Sequence, residues 1–212
     1  MKLLFTSDLH GLSSAYQRFA QVLAGAQFDV GVISGDLMTY TDDLRLAEDR
    51  CKHTLQKAGK QILFLMGNDD GILGSEWTDE GDIRNLHGRR IEIAGVAFVG
   101  YQYTNPFVGG PFEKPESEQA IDLKALESVV DQNTVLVTHG PPYGILDQLP
   151  DGRSVGSKPL RTFVDHVNPK LHLFGHVHSS FGVSANSVNG SFPDRRIFIS
   201  VDLATMTVDQ VE

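Results

Sequence analysis

Two histidines on alternate residues, His176 and His178, follow the glycine that ends a short apolar run at residues 171–174. The run is typical of a buried strand, and it places both imidazoles in the loop just beyond that strand. Two imidazoles with this spacing can face one metal ion. A His-x-His pair after a strand is nevertheless more often a surface hairpin or a hydrogen-bonded loop, so the pair alone is weak evidence for a metal site.

Four other apolar runs end at residues of the same chemical kind, namely at Asp8 and His10, at Asp36, at Asn68 and at His139. Because the ligand crevice of an open α/β sheet lies at the carboxyl ends of its strands, these side chains can converge in one place. Carboxylate, amide oxygen and imidazole together suit Mn, Fe, Zn or Ni better than Ca. The absence of cysteine from the set argues against a closed structural zinc site.

The runs that carry the first of these residues alternate with helical patterns. We expect strands at residues 2–7, 29–34 and 61–66, and helices from about residue 13 and at residues 42–58. Ser13 or Ser14 is available to cap the first helix. Near-continuously apolar strands in the order β-α-β-α-β predict a parallel sheet covered by helices.

The rest of the chain is less regular. Residues 90–93 and 96–101 predict a hairpin, and a helix with Leu123, Leu126 and Val130 on one face follows. Strands are expected at 134–138 and 171–174, with a helix starting near Ser157-Lys158-Pro159 between them. After Phe181, short segments separated by turn residues predict an antiparallel edge or a second sheet.

Residues 102–116 form a loop rich in proline and glycine, with Tyr103, Phe107 and Phe112 interleaved. Such composition is incompatible with regular secondary structure. The three aromatic side chains could either pin the loop to the body of the protein or face a ligand. Pinning is the preferred interpretation, because aromatic residues in loops are commonly anchors.

Length and composition set broad limits. With 212 residues, 41% of them hydrophobic and 21% charged, the chain suits one globular α/β domain spanning residues 1–212. No apolar run reaches the roughly 18 residues of a membrane span, and the first residues lack the features of a signal peptide. The single cysteine, Cys51, excludes an internal disulfide and fits a small core residue, so a cytoplasmic location is expected.

The formal net charge of −9 argues against an extended nucleic-acid-binding surface, which would ordinarily be basic. Two divalent cations at Asp8 and Asp36 would reduce this charge to about −5 and could make the site locally positive.

The strand-end residues fall into five short motifs: Asp8-x-His10, Gly35-Asp36, Gly67-Asn68-Asp69-Asp70, His139 and Gly175-His176-x-His178. In order and rough spacing, they resemble the motif set of the calcineurin-like metallophosphoesterases from residue 8 to residue 178. The stretch from His139 to Gly144 also looks like a subgroup of small single-domain members. The resemblance implies an α/β fold, a four-layer sandwich of two mixed β-sheets flanked by helices.

The resemblance also implies two divalent metal ions, with manganese preferred and iron, zinc or nickel as alternatives. One ion would be held by Asp8, His10 and His178, and the other by Asn68, His139 and His176, while Asp36 would bridge both. A hydroxide between the ions would attack the phosphorus of a phosphoester. The residues expected to act in catalysis are Asp36, Asn68, Asp69, Asp70 and His139.

The chain departs from the family pattern at Asp69, where the family usually has a histidine that can protonate the leaving oxygen. An aspartate is a poor proton donor at neutral pH. Its charge, about 5 Å from a phosphate at an effective dielectric near 20, would oppose one extra substrate charge by at most about 3 kcal/mol. We therefore expect phosphodiesters to be preferred over monoesters. Asp69 could equally be a group that orients a ligand histidine, and Asp70 is expected to orient its neighbours.

Alternatives of other classes remain at this point. The same fold serves as a non-catalytic protein-binding subunit in the retromer sorting complex, and an unrelated single-metal hydrolase is a third possibility. Every ligand position of the motif set is filled here, which favours an enzyme with a small phosphoester substrate, nucleotide-like substrates included. Arg153, Lys158 and Tyr143 could contact substrate, although surface charge and packing are the simpler roles. The remaining histidines are expected to be structural or exposed: His53, His87, His166 and His172.

Overall fold

The computed structural model describes residues 1–75 and 77–211, which form twelve strands, six α-helices and one short 3-10 helix. In chain order these are β1 Lys2–Thr6, α1 Ser13–Leu23, β2 Val30–Ser34, α2 Leu44–Gln56, β3 Gln61–Leu65, α3 Asn68–Leu73, β4 Ile83–Asn85, β5 Arg90–Ile93, β6 Val96–Tyr101, α4 Glu116–Leu126, β7 Thr134–Thr138, α5 Lys158–Val167, β8 Leu171–Phe174, the 3-10 helix His178–Ser180, β9 Gly182–Ser184, β10 Ser187–Asn189, α6 Phe192–Arg195, β11 Phe198–Asp202 and β12 Thr207–Val211.

The strands form two mixed six-stranded sheets. The first has the order β12-β11-β1-β2-β3-β4, and its strands β1 to β4 are parallel whereas β11 and β12 add antiparallel pairs. The second has the order β5-β6-β7-β8-β10-β9, with antiparallel strands only at its two edges. The predicted fold of two mixed sheets flanked by helices is confirmed.

The apolar side chains bury both faces of each sheet, which gives four layers. Along β1, Phe5 joins a cluster between the two sheets that also contains Val137 of β7, whereas Leu4 faces the opposite cluster beneath α1 and α2. A third cluster lies under α4 and α5 and contains Leu136 and Phe163. Since side chains alternate along a strand, continuous apolar runs are needed to fill both faces.

Polar side chains cap the N-termini of two of the helices. Asp43 accepts a hydrogen bond from the backbone N–H of Leu46 at 3.0 Å and caps α2, and Ser157 caps α5 through Leu160. The expectation that Ser13 or Ser14 caps α1 is wrong: the helix begins after Leu12 without a side-chain cap, and both serines lie within its first turn.

Two predictions for the later part of the chain need correction. Helix α4 ends at Leu126, so Val130 lies beyond it, although its side chain is still buried. The segment after Phe181 is antiparallel in the β9–β10 hairpin and in β11–β12, but it divides between the two sheets, and β10 pairs in parallel with β8.

Four short elements were not anticipated from the sequence, namely α3, β4, the 3-10 helix and α6. The hairpin predicted at 90–93 and 96–101 is confirmed as β5 and β6. Cys51 is buried under α2, as expected for a core residue. Among the described helices, none combines the length and the apolar character that crossing a membrane requires.

Candidate metal centre

The predicted ligands all follow the carboxyl ends of parallel strands, and both sheets contribute. Strands β1, β2 and β3 of the first sheet lead to Asp8 and His10, to Asp36 and to Asn68. Strands β7 and β8 of the second sheet lead to His139 and to the pair His176 and His178. The structure brings these donors together at the edge where the two sheets meet, as the strand-end argument predicts.

Asp8, His10 and His178 form the first group of donors, and one ligand atom of each lies within 4.8 Å of the others. Nε2 of His10 is 3.5 Å from Nε2 of His178, which in turn is 3.7 Å from Oδ1 of Asp8. Ligand atoms that share an ion at about 2.1 Å lie about 3.0–3.4 Å apart. The group therefore fits a cation with only small side-chain shifts.

The second group consists of Asp36, His139 and His176, again with ligand atoms within 4.8 Å of one another. Nε2 of His139 lies 3.4 Å from Oδ1 of Asp36 and 3.0 Å from the side-chain oxygen of Asn68. Asn68 thus offers an amide oxygen to the same point. This donor set of carboxylate, amide and two imidazoles fits a divalent transition-metal ion.

Asp36 also belongs to a third group, with His10 and Asp69. Since His10 is a member of the first group and Asp36 of the second, the three groups make one continuous array of donors with the Asp36 carboxylate in its middle. Asp36 is almost fully buried, so the array is anchored below the surface. We call the residues of these three groups the donor array, which consists of Asp8, His10, Asp36, Asp69, His139, His176 and His178.

The backbone of the donor array is unusual at four positions. Asp8, His10, Asp36 and His176 have φ angles of 58°, 43°, 48° and 69°, in the left-handed region that residues with a β-carbon rarely adopt. Each such residue costs on the order of 1–3 kcal/mol and is maintained only by its surroundings. Sharp turns immediately after the strands therefore aim the ligand side chains toward one point.

Two motif glycines allow the backbone to pass next to ligand side chains. A β-carbon on Gly67 would collide with the Asp36 carboxylate and would lie 2.7 Å from Nε2 of His139. A β-carbon on Gly175 would collide with Ser7 and lie 2.5 Å from Oδ2 of Asp8. The glycines in the Gly-Asn and Gly-His motifs are thus required by close packing around the donors.

Backbone groups and one serine orient the ligands. Nδ1 of His139 lies 2.7 Å from the carbonyl oxygen of Ser34, and because a carbonyl only accepts, Nδ1 carries a proton, so Nε2 is the nitrogen that would present a lone pair to a metal ion. Oδ2 of Asp8 accepts hydrogen bonds from the hydroxyl of Ser191 at 2.7 Å and from the backbone N–H of His176 at 3.0 Å. Nothing in the sequence pattern pointed to Ser191, which lies in the segment after Phe181.

Asp70 lies behind the donor array. Its buried carboxylate accepts hydrogen bonds from the backbone N–H groups of Leu37, Met38 and Gly67, at 3.0, 2.9 and 2.8 Å. It therefore ties the loop after β2 to the start of α3, which is the orienting role expected for it. Burial and the charge of Asp36 raise the pKa of Asp70 to about 7 in spite of these three donors.

The side chain of Asp69 contacts two of the predicted ligands, and its backbone N–H donates to Oδ1 of a third, Asp36, at 3.0 Å. Oδ2 of Asp69 lies 3.5 Å from Nδ1 of His10, its Oδ1 accepts a 2.8 Å hydrogen bond from the Asn68 amide, and its side chain is 44% exposed. This is the placement expected of a group that orients a ligand histidine. Partial burial and the charge of Asp36 raise the pKa of Asp69.

The protonation of the donor array reflects its crowded carboxylates. Burial by itself lowers the pKa of His139, but Asp36 and Asp8 reverse this and raise it to about 9. Burial opposes ionisation of Asp8 and Asp36, yet the neighbouring histidines lower the pKa of both. Burial and the charge of His139 lower the pKa of His176 to about 4. The protonated imidazole of His139 thus supplies a positive charge among these carboxylates, as a metal ion would. Metal binding would displace its proton.

Other residues considered from the sequence lie outside the donor array. Arg153 pairs with Asp151 at 2.8 Å in its own loop, and the Lys158 ammonium lies 5.5 Å from the centre of the half-exposed Tyr143 ring. Arg153 and Lys158 thus have the surface role that was preferred for them, whereas packing, the role preferred for Tyr143, does not fit a residue that is 41% exposed.

The other four histidines are structural or exposed, as expected. His53 and His166 lie on the surface of their helices. His87 accepts a long hydrogen bond from the backbone of Gln102, and His172 is fully buried beside Thr138.

The aromatic residues of the 102–116 loop divide between the two roles considered for them. Tyr103 and Phe112 pack against apolar clusters, so pinning is correct for these two. Phe107 is 74% exposed, and its ring centre lies 6.3 Å from that of His176, so for this residue pinning is wrong.

The chain belongs to the calcineurin-like phosphoesterase family, whose family model matches residues 1–180. It is 37% identical over 105 residues to the UPF0046 protein K07C11.7 of Caenorhabditis elegans, a match that covers 50% of this chain and 35% of that protein. It is 32% identical over 103 residues to the human metallophosphoesterase domain-containing protein 1, covering 48% of this chain and 31% of the relative. The match thus spans about a third of the length of these relatives.

Solved structures show the same fold. TT1561 of Thermus thermophilus superposes with a TM-score of 0.73 at 17% identity, covering 99% of this chain and 97% of that one. A dimetal phosphatase from Danio rerio superposes with a TM-score of 0.59 at 11% identity, covering 94% and 91%. At these identities the likeness establishes the architecture and leaves the chemistry to the residues of the site.

Proposed function

We propose that the protein is a phosphoesterase that uses two divalent metal ions. The observation that carries this proposal is the position of Asp36, which shares one group of donors with His139 and His176 and another with His10 and Asp69. A carboxylate has two oxygens and can serve both neighbouring ions, which sets the short separation used by two-metal hydrolases. Asp8, His10 and His178 would complete one site, and Asn68, His139 and His176 the other.

The protein's part in the reaction is to fix the donors before substrate arrives. Ser34 holds the tautomer of His139, Ser191 holds Asp8, and Asp70 holds the loop that follows Asp36. When bound, the ions would supply a bridging hydroxide as nucleophile and would neutralise the nonbridging phosphate oxygens. Manganese is proposed first because the carboxylate and amide oxygens suit it, and iron, zinc and nickel are alternatives because the imidazoles suit them.

We propose further that phosphodiesters are better substrates than monoesters. Asp69 is half exposed beside His10 and Asn68, where its negative charge faces any phosphate bound at the donor array. A dianionic monoester carries one more charge than a diester and is repelled more strongly. Asp69 is also a weak proton donor for a poor leaving group, so diesters with acidic leaving groups should react best.

The substrate is proposed to be a small phosphoester, nucleotide-like esters included, and the location to be cytoplasmic. The acidic chain argues against an extended nucleic-acid surface. The lone Cys51 is buried and has no disulfide partner, which fits a reducing compartment. A non-catalytic scaffold would not need a complete set of metal donors, so the enzyme is the preferred function.

The test combines metal content with activity. Purified protein reconstituted with Mn²⁺ is dialysed and analysed by mass spectrometry for bound metal, and hydrolysis of bis-p-nitrophenyl phosphate is measured on the same samples. We expect two ions per chain for the unaltered protein, and at most one ion with loss of hydrolysis for Asp36→Asn. Asp165→Asn, which removes an exposed carboxylate from α5, is the matched control.

Either of two results would overturn the proposed function. One is saturation of the unaltered protein with fewer than two ions per chain. The other is unchanged hydrolysis by the Asp36→Asn variant. If the protein binds two ions but hydrolyses none of a panel of aryl and nucleotide mono- and diesters, the non-catalytic alternative replaces the enzyme.

A further inference from the structure

The phenyl ring of Phe107 stands in solvent beside the donor array. Its side chain is 74% exposed, and its ring centre lies 6.3 Å from that of His176, with the ring planes at 89°. Val108 next to it is 54% exposed. A single exposed apolar residue needs no explanation, but Phe107 lies directly beside a residue of the donor array.

The loop tip that carries Phe107 is held by one carboxylate. Glu113 accepts hydrogen bonds from three successive backbone N–H groups, those of Phe107 at 2.7 Å, Val108 at 3.0 Å and Gly109 at 2.9 Å. Although its slight burial acts in the opposite direction, these three amides lower the pKa of Glu113. Charge-assisted hydrogen bonds of this kind fix the local backbone, so the backbone position from which the Phe107 side chain projects is set.

The loop is also packed against the helix that begins with Asn68. A β-carbon on Gly110 would lie 2.9 Å from Cγ1 of Ile72, and one on Gly71 would lie 2.9 Å from the ring atoms of Pro111 and Phe112. Such distances leave no space between the loop and α3. Movement of the loop relative to the donors is thereby restricted.

A second set of contacts fixes the base of the loop on its other side. The side-chain amide of Asn105 donates to the carbonyl oxygens of Val155 and Gly156, both at 3.2 Å. Gln119 of α4 donates in turn to the side-chain oxygen of Asn105 at 2.8 Å. An exposed aromatic ring is therefore presented from a rigid loop, as expected of a binding contact prepared before the ligand arrives.

We propose that Phe107 is a specificity residue that contacts a planar ring on the substrate, such as an aryl group or a nucleobase esterified to the phosphate bound at the donor array. This inference rests on the proposed function and narrows its substrate class to esters with an aromatic group. A phenyl ring can stack on any planar ring. Stacking therefore strengthens substrate binding without the hydrogen bonds that would distinguish one ring from another. The phosphate would reach the donors while the ring lies against Phe107.

The experiment compares Phe107→Ala with Phe107→Tyr and with Ile121→Ala, which truncates an equally exposed side chain on α4. For Phe107→Ala we expect the KM for bis-p-nitrophenyl phosphate to rise about tenfold, because stacking on an aromatic residue contributes that much binding. The kcat should change by less than about twofold, because the ring contact is the same in the ground and transition states. Phe107→Tyr and Ile121→Ala should behave as the unaltered protein.

Two inhibitors separate ring recognition from phosphate recognition. Against the same substrate, the inhibition constant of phenylphosphonate should rise about tenfold in Phe107→Ala, while that of methylphosphonate should stay the same. Equal changes for both compounds, or no change for either, would overturn the proposal, since Phe107 would then only shield His176 or face solvent.

Failure of this inference is distinguishable from failure of the proposed function. If the unaltered metal-loaded protein hydrolyses the diester and Phe107→Ala matches it, only the role of Phe107 is wrong. If the unaltered protein does not hydrolyse the diester, calorimetric titration of the metal-loaded protein with the two phosphonates still tests ring recognition. The inference would then be overturned if each phosphonate bound to Phe107→Ala with the same affinity as to the unaltered protein.

Discussion

The hydroxyl of Ser191 donates a 2.7 Å hydrogen bond to Oδ2 of Asp8, which joins two fully buried residues 183 positions apart in the chain. The same oxygen accepts the backbone N–H of His176 at 3.0 Å. Oδ1 of Asp8 lies 3.3 Å from the same N–H and 3.7 Å from Nε2 of His178. The orientation of one predicted metal ligand thus depends on a residue outside every recognised motif.

Replacement of Ser191 by alanine should weaken metal binding without removing a ligand. Loss of a hydrogen-bonded group that orients a metal ligand typically reduces affinity by about 10- to 100-fold. We expect that reduction for Mn²⁺ in calorimetric titrations of Ser191→Ala. The matched control is Ser200→Ala in β11, where the buried hydroxyl has no hydrogen-bond partner in the described part of the chain and should not affect the titration. Equal affinities of the two variants would show that Ser191 does not position Asp8.

Asp69→Asn should shift the balance between ester classes. The substitution removes the negative charge while keeping an oxygen that can accept the hydrogen bond from Asn68. With less repulsion, kcat/KM for p-nitrophenyl phosphate should rise relative to that for bis-p-nitrophenyl phosphate, by about tenfold and at most about 150-fold. Asp151→Asn, at an exposed ion pair with Arg153, is the control. A falling ratio would contradict the charge argument and leave Asp69 as an orienting group for His10.

The stability of the fold should depend on pH through His172. Its ring is fully buried, Nδ1 has no hydrogen-bond partner in the described part of the chain, and burial lowers the pKa to about 3. Between that value and the ordinary histidine pKa, the unfolded chain binds a proton that the folded chain does not. The free energy of unfolding therefore rises with pH in this window and falls on acidification, by up to about 1.4 kcal/mol per pH unit.

Chemical denaturation between about pH 4.5 and 7.5 measures the effect, because this range covers the accessible upper part of the window and a plateau above it. We expect His172→Leu to show a smaller loss of unfolding free energy on acidification than the unaltered protein. Comparison with His53→Leu separates the buried ring from a histidine at the surface, since that variant keeps His172. Parallel curves for His172→Leu and the unaltered protein would show that His172 is not kept neutral by burial.

Cys51 should be inert in the folded protein. Its side chain is 5% exposed, and burial together with the charge of Glu48 raises the pKa of the thiol to about 11. The thiolate is the reactive form, so iodoacetamide at neutral pH should alkylate Cys51 only after unfolding in guanidinium. Mass spectrometry of the native and denatured protein gives the extent of labelling. Rapid labelling of the native protein would mean that α2 opens readily.

The sequence was informative wherever a buried strand ended. Continuous apolar runs identified the strands that carry the ligands, and the rule that crevices lie at carboxyl ends brought Asp8, Asp36 and His139 together correctly. The grouping of Asp8 with His10 and His178 came from the family resemblance, and the structure places these three together. Their roles as metal ligands stay predictions until metal binding is measured.

The sequence was uninformative where the structure depends on short elements or distant contacts. Helix α3 has six residues and β4 has three, too few for a periodic pattern. The hydrogen bond of Ser191 to Asp8 and the exposure of Phe107 are set by tertiary packing, which leaves no mark on neighbouring residues. The positive φ angles of His10 and His176 are equally invisible in residue type, since neither is a glycine.

The two sheets contribute different chemistry to the centre. The first sheet leads to every carboxylate and to Asn68 and His10, whereas the second leads only to the imidazoles of His139, His176 and His178. A cation bound by the predicted ligands would therefore link the two sheets, because neither sheet alone offers a complete set of donors. Metal binding and stability would then be thermodynamically linked, so we expect chelation to lower the melting temperature of the protein and metal loading to raise it.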